Sequence, residues 1–232
     1  QTLDFIKDCE EHWDCKVYWM ELSHIIDDGK GPTENDRKWI FKYKETDYEN
    51  CSRNGEPFEV VINHYNKLPN ATNRFCTYLL KQRAITWFER LKGLKNPDQL
   101  LGLRYDEPHR VHRIKSKNNT QDKFTPLYNE KVTKETIKDF WDKSNFDLKL
   151  VAIDGHAILG NCDMCFLKGK KQTMDIMKSR PELSNWWIEQ EKKTGKTFRF
   201  DIPVVDLLKR SEEQSQLDLF ESDESLDCFC TD

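Results

Sequence analysis

The chain has 232 residues, 34% of them charged and 12% aromatic: long enough for one large domain or a domain with an appendage, and too rich in rings to be disordered throughout. Its 37 Lys and Arg against 41 Asp and Glu leave a formal charge of −4, which excludes nucleic-acid binding by bulk charge and confines any anion site to a local patch. No run reaches the roughly 20 apolar residues of a membrane span, and the opening QTLDFIKDCEEHW lacks the segments of a secretion signal, so the chain reads as cytoplasmic, with no membrane partner.

TLDFIKDCEEHW places Leu3, Ile6 and Cys9 at helical spacing, which predicts an amphipathic helix. CKVYWMEL, residues 15 to 22, is short and β-rich and reads as a strand. Residues 23 to 54 are charged and turn-rich and read as an insertion, with KWIFKY at 38 to 43 as an exposed hairpin arm. PFEVVINHYNK at 57 to 67 opens with a proline that a first helical turn tolerates. TNRFCTYLLKQRAITWFERLKG at 72 to 93 is a second helix, with Thr72 as cap and Gly93 as its close.

QLLGLRYDE at 99 to 107 then reads as a strand, followed by a basic loop to Asn119, a short strand KFTPLYN and a helix VTKETIKDFWDKS capped by Thr133. Alternation of this kind predicts a three-layer α/β sandwich with a mainly parallel sheet, its ligands beyond the carboxyl ends of the strands. From Gly160 the pattern is helical, through KQTMDIMKSR and PELSNWWIEQEKKTG. After Arg210 comes an acidic, serine-rich stretch. The expected organisation is thus an α/β domain over 1–159, a CxxC and helical region over 160–210, and a mobile acidic tail over 211–232.

Eight cysteines fall well short of a disulfide scaffold, and three N-x-S/T sequons, at Asn50, Asn70 and Asn118, are chance matches in a chain not routed to glycosylation. Cys162 and Cys165 in GNCDMCFLKGKK stand at metal-ligand spacing. Two thiolates so placed hold an iron of a [4Fe–4S] cluster or a zinc ion only with further ligands. Cys76 is the obvious third, and Cys228 or Cys230 a candidate fourth. Buried structural thiols and a redox pair are the other readings of the same spacing. In GLRYDEPHRVHRIK, residues 102 to 115, Arg104, Arg110, Arg113 and Lys115 follow a glycine and form an anion cradle if the guanidinium forks face a phosphate or sulfate, or else a solvated basic loop. Asp106 and Glu107 position those arginines or cap the loop. Arg74, Cys76, Lys81 and Arg83 share one helix, where cations lower a thiol's pKa. The pairs Trp87-Phe88, Phe140-Trp141 and Trp186-Trp187 are expected to put at least one ring each into a core.

The order of CTxxLKxR around Cys76, GLRxDExxR around Arg104, Pro126-Leu127, Phe140-Trp141 and GNCxxC, before a lysine-rich helix, resembles the phosphoadenosine phosphosulfate reductase family, and most closely the short reductase-like proteins of bacteriophages and mobile elements. The resemblance covers about residues 1 to 190. It implies an adenine nucleotide alpha hydrolase-like fold and a bound adenine nucleotide or sulfonucleotide. Lys81 and Arg104 match family positions near the sulfonucleotide, while Leu80 stands where the family has arginine. Cys76, Cys162 and Cys165 match three ligands of the [4Fe–4S] cluster, with Thr77 in place of a fourth. Family reductases attack the sulfonucleotide with a late cysteine, here Cys228 or Cys230, and thioredoxin resolves the product. The family's SGGxDS phosphate loop is missing, and with Gln1 at the start of a helix the expectation is an N-terminally truncated chain. The same fold also serves ATP-dependent enzymes that add sulfur to nucleic acid, and non-catalytic accessory proteins; these remain the alternatives.

Overall fold

The computed structural model describes residues 2–27, 29, 38–115, 123–150, 152–153, 156–157, 159 and 162–213. In chain order these form α1 (Thr2–His12), β1 (Trp19–Asp27), β2 (Trp39–Thr46), α2 (Glu56–Tyr65), a short α3 (Phe75–Thr77), a π-helical segment (Tyr78–Gln82) and α4 (Arg83–Leu91). There follow β3 (Gln99–Leu100), α5 (Pro108–Lys115), β4 (Lys123–Phe124), α6 (Pro126–Asn129), α7 (Lys134–Asp142), β5 (Ala152–Ile153), β6 (His156–Ala157), α8 (Lys170–Ser179), a 3-10 turn (Pro181–Leu183), α9 (Ser184–Thr194) and α10 (Val204–Glu213). The protein is therefore a mixed helix and strand fold. Among the described residues no helix is long and apolar enough to cross a membrane.

Strand pairing among the described residues is two-stranded throughout. β1 and β2 form an antiparallel ribbon running from Trp19 opposite Thr46 to Asp27 opposite Trp39, with a bulge at Ser23 between Leu22 and His24. β3 pairs with β4 in parallel, and β5 with β6 antiparallel. The first strand thus runs further than the sequence suggests, through HIID, and the residues expected as an exposed arm pair directly against it.

The chain divides into two compact units: Gln1–Val17 with Ile85–Leu148, and Tyr18–Ala84 with the described part of Lys149–Thr231. In the first, α5 replaces the expected basic loop. Pro108 fits an opening turn, and Val111 and Ile114, three apart, bury beside Leu103. The basic residues between them hid this apolar spacing. The expected KFTPLYN strand also stops early, because Pro126 presets a helical φ and Asn129 N–H and Glu130 N–H close a turn onto Thr125 and Pro126. α7 is capped as expected: the Thr133 hydroxyl accepts from Thr136 N–H, and Thr136 reaches back to Thr133 N–H. Trp141 packs with Phe5, Trp13 and Phe146, whereas its neighbour Phe140 is 53% exposed.

The larger core lies in the second unit. Ile62, Met164, Cys165, Phe166, Leu167, Ile176, Met177, Trp187, Phe198 and Leu207 are buried together, and Phe58, Cys76 and Trp186 pack against them. Each large apolar side chain so buried stabilises the fold by about 1.5–3 kcal/mol. Gly55, the N-cap of α2, sits at φ +88°, and a Cβ there would meet the Trp186 ring at 2.9 Å. That close approach fixes a glycine at the position. A buried carboxylate ties the far end of this core: Glu191 accepts from Phe198 N–H at 3.0 Å and from Val204 N–H at 2.8 Å.

Candidate functional site

The CxxC segment, in the second unit, is a pair of tight turns leading into α8. Cys165 N–H donates to Cys162 O at 3.3 Å, and Lys168 N–H to Cys165 O at 2.9 Å. The two cysteines differ in exposure: Cys162 is exposed and Cys165 is 7% exposed. Met164 through Leu167 are buried, which anchors the segment in the core. Arg199 holds it from outside, its Nη1 donating to Lys168 O at 2.7 Å and to Phe166 O at 3.4 Å. Gly169 caps α8, and Thr173 closes the first turn by donating from its hydroxyl to Gly169 O.

The three lysines behind the motif have separate situations. Lys168 is 8% exposed, and Lys170 pairs with Asp201 at 3.1 Å, which also accepts from Arg199 Nε at 3.3 Å. Burial pushes the Asp201 carboxyl up, but the Lys170 bond and the Arg199 charge outweigh it and hold the pKa below the ordinary value. Lys171 is exposed.

Cys76 lies in α3, half-buried, against the core that contains Cys165. The helix that carries it does not start at Thr72, whose hydroxyl and N–H are both spent on Asn70 Oδ1; Arg74 occupies the N-cap instead. Nor is the helix regular. Tyr43 Oη on β2 donates to Leu79 O at 2.8 Å, and Arg83 N–H bonds Tyr78 O, five residues back. Diverting the Leu79 carbonyl in this way accounts for the π segment, a feature frequent at functional sites. Lys81 sits on it, exposed. Among the described residues no three His, Cys, Asp or Glu side chains are gathered closely enough to hold a metal ion. Cys228 and Cys230 lie outside the described residues, as do Gly160 and Asn161.

Arg104 and Arg110 belong to the first unit and form a network of their own. Arg104 Nε donates to Asp106 Oδ1 at 2.9 Å, Arg110 Nη1 donates to Glu107 Oε1 at 2.6 Å, and Glu107 Oε2 accepts from Arg104 N–H at 3.1 Å. Asp106 and Glu107 therefore position the two guanidinium groups, one of the two roles the sequence leaves open. Burial raises the Glu107 carboxyl, but the Arg104 N–H and the Arg110 side chain outweigh it and keep the pKa low. The Arg104 bond likewise holds Asp106 low. Both guanidinium groups are thus engaged by carboxylates, so an anion arriving there must compete for the guanidinium forks.

Sequence reasoning missed Arg199, Asp201 and Glu191. Each acts through its reach across the fold, and no local spacing signals that. Comparison with protein-family models, with curated proteins and with solved structures found no match for this chain.

Proposed function

We propose that the protein is a sulfonucleotide reductase-like enzyme acting on adenylylsulfate or its 3′-phosphorylated form, in the cytoplasm, on a three-layer adenine nucleotide alpha hydrolase-like fold. The observation that carries this reading is the core shared by Cys76 and Cys165, two residues from motifs far apart in the chain whose order matches the reductase pattern. Arg74 and Lys81 flank Cys76 on the same helical stretch, and they are the proposed contacts to nucleotide phosphate and sulfate. A [4Fe–4S] cluster, or zinc, would draw on Cys76, Cys162 and Cys165, of which Cys165 is buried, Cys76 half-buried and Cys162 exposed.

In the proposed reaction the thiolate of Cys228 or Cys230 attacks the sulfate sulfur, the sulfur–oxygen bond to the nucleotide breaks, and the adenosine phosphate leaves with the bond electrons. The resulting cysteine thiosulfonate is then reduced by the thioredoxin dithiol, which supplies two electrons, releases sulfite and becomes a disulfide. Incubating the full chain with either sulfonucleotide and reduced thioredoxin should release sulfite; no sulfite from either substrate refutes the proposal. The pairing of Arg104 and Arg110 with carboxylates favours a second reading, an accessory protein that does not turn over nucleotide. Calorimetric titration with a sulfonucleotide separates the two, because the enzyme must bind it.

A further inference from the structure

α1 ends on a closure that folds the chain back on its last turns. Trp13 N–H still bonds the Cys9 carbonyl at 3.1 Å, but Asp14 turns into the left-handed region at φ +46°, and Cys15 N–H reaches back to the Glu10 carbonyl at 3.2 Å. A bond of that span across a left-handed residue is the Schellman closure of a helix. It sets the residue just past the turn against the side chain third or fourth from the helix end. In most helices the two are apolar side chains; here Cys15 is the residue past the turn and Cys9 is fourth from the end at His12.

The turn decides whether these thiols can meet. Cys15 lies six residues after Cys9, and on a continued helix it would stand about 9 Å along the axis and off the face of Cys9. A disulfide needs Cα atoms within about 7 Å. With the chain folded back at Asp14, the Cys15 thiol instead donates to the Cys9 carbonyl at 3.7 Å. Glu10 fastens the same segment a second time, its carboxylate accepting from Val17 N–H at 3.0 Å. Cys15 is exposed and Cys9 half-buried. Burial pushes the Cys9 thiol up, and the neighbouring Cys15 and Asp8 push the same way. Cys9 is thus held as a thiol, and the exposed Cys15 is the first to meet an oxidant.

We propose that Cys9 and Cys15 are a redox modification site, oxidised by a small disulfide of the glutathione class to a disulfide that locks the end of α1. The Cys15 thiolate attacks one sulfur of glutathione disulfide, the bond between the two glutathione sulfurs breaks, and one glutathione leaves with the electron pair and takes up a proton. The Cys9 thiolate then attacks the Cys15 sulfur of the mixed disulfide and expels the second glutathione. Two protein thiols are oxidised and one glutathione disulfide is reduced to two glutathiones; excess glutathione runs the sequence backwards. The inference does not rest on the sulfonucleotide reading, since neither thiol belongs to that site.

The tryptic peptide from Asp8 to Lys16 carries both cysteines and no others, which makes the test direct. The full chain would be equilibrated in glutathione buffers of graded ratio, alkylated with iodoacetamide and digested without reductant for mass spectrometry. Reduced, the peptide should carry two alkyl groups. As glutathione disulfide rises it should give way to an unalkylated peptide lighter by two hydrogens, following the square of glutathione over glutathione disulfide as a two-electron couple does. Dithiothreitol should restore both alkyl groups. Cys15→Ser should leave Cys9 without an intrapeptide link, and Cys51, whose thiol donates to Tyr48 O, should form no link to either. Asp14→Val keeps both thiols but puts a β-branched residue where the left-handed turn is required, so half-oxidation should demand a larger share of glutathione disulfide. Far-ultraviolet circular dichroism checks the fold; if Asp14→Val unfolds, the parent in urea, where the closure is gone, supplies the same comparison. A peptide that stays doubly alkylated, a stable glutathione adduct on Cys15, a link to another cysteine, or a midpoint unmoved by loss of the closure would overturn the inference.

Discussion

Replacing Glu191 with alanine should be among the most damaging single changes in the second unit. The side chain is 8% exposed and spends both oxygens on the N–H groups of Phe198, itself 1% exposed, and Val204, 3% exposed. Truncation leaves two buried donors unpaired, at about 1–3 kcal/mol each, and removes the packing that holds Phe198 4.6 Å from Trp187. Relief from burying a carboxylate offsets part of this, so the net loss should be about 2–4 kcal/mol, a large share of the roughly 5–15 kcal/mol that stabilises a domain. Urea unfolding followed by tryptophan fluorescence should show the midpoint falling by about 1–2 M, given slopes of about 1–3 kcal/mol per M. Glu191→Gln keeps one acceptor but sets an NH2 against an N–H, so it should lie between parent and alanine. Burial raises the Glu191 pKa above 4.5 even though the two backbone N–H groups pull it down. A raised carboxyl favours the folded state most when protonated, so its contribution is fully present below the unfolded value and declines as pH rises through the folded one. Glu191→Gln should abolish that decline. An alanine variant with the parent's urea midpoint would refute the argument.

Gly55→Ala forces a side chain into a left-handed backbone and onto the Trp186 ring; it should cost about 1–3 kcal/mol in the same urea assay, and an unchanged midpoint would contradict the close approach. The lowered Glu107 pKa predicts stability that is present above its ordinary value of 4.5 and lost as pH falls through the lower folded value. Glu107→Gln should therefore flatten the acid limb of a stability-against-pH curve, and an unaltered limb would disconnect Glu107 from the two arginines. Iodoacetamide followed by peptide mass spectrometry should label Cys162 well before Cys165, because only Cys162 is exposed; equal rates would show that the turn does not bury Cys165.

Elements with a complete local signal were legible in the sequence: α1 from its apolar spacing, α7 from Thr133, and α9 from the helical pattern of PELSNWWIEQEKKTG, although Pro181–Leu183 form a 3-10 turn before it. Elements whose signal is shared across the fold were not. The basic side chains of α5 hid the pair Val111 and Ile114, and the π segment depends on Tyr43, which the hairpin brings in from a strand distant in the chain. The candidate site divides along the same line. The cysteine spacing is local, and the pairing of Arg104 and Arg110 with the adjacent Asp106 and Glu107 is nearly so. The approach of Cys76 to the core of Cys165 required the order of motifs, and the bracing of the CxxC turn by Arg199 and Asp201 left no trace in the spacing of either segment.

The most direct test of the reductase proposal is to trap its intermediate. The full chain would be mixed with adenylylsulfate or its 3′-phosphorylated form, thioredoxin omitted, and the products quenched and digested for mass spectrometry. The account predicts one SO3 group bound to Cys228 or Cys230, released as sulfite when reduced thioredoxin is added and absent from the variant carrying serine at both positions. Unmodified cysteines after exposure to both sulfonucleotides would contradict it.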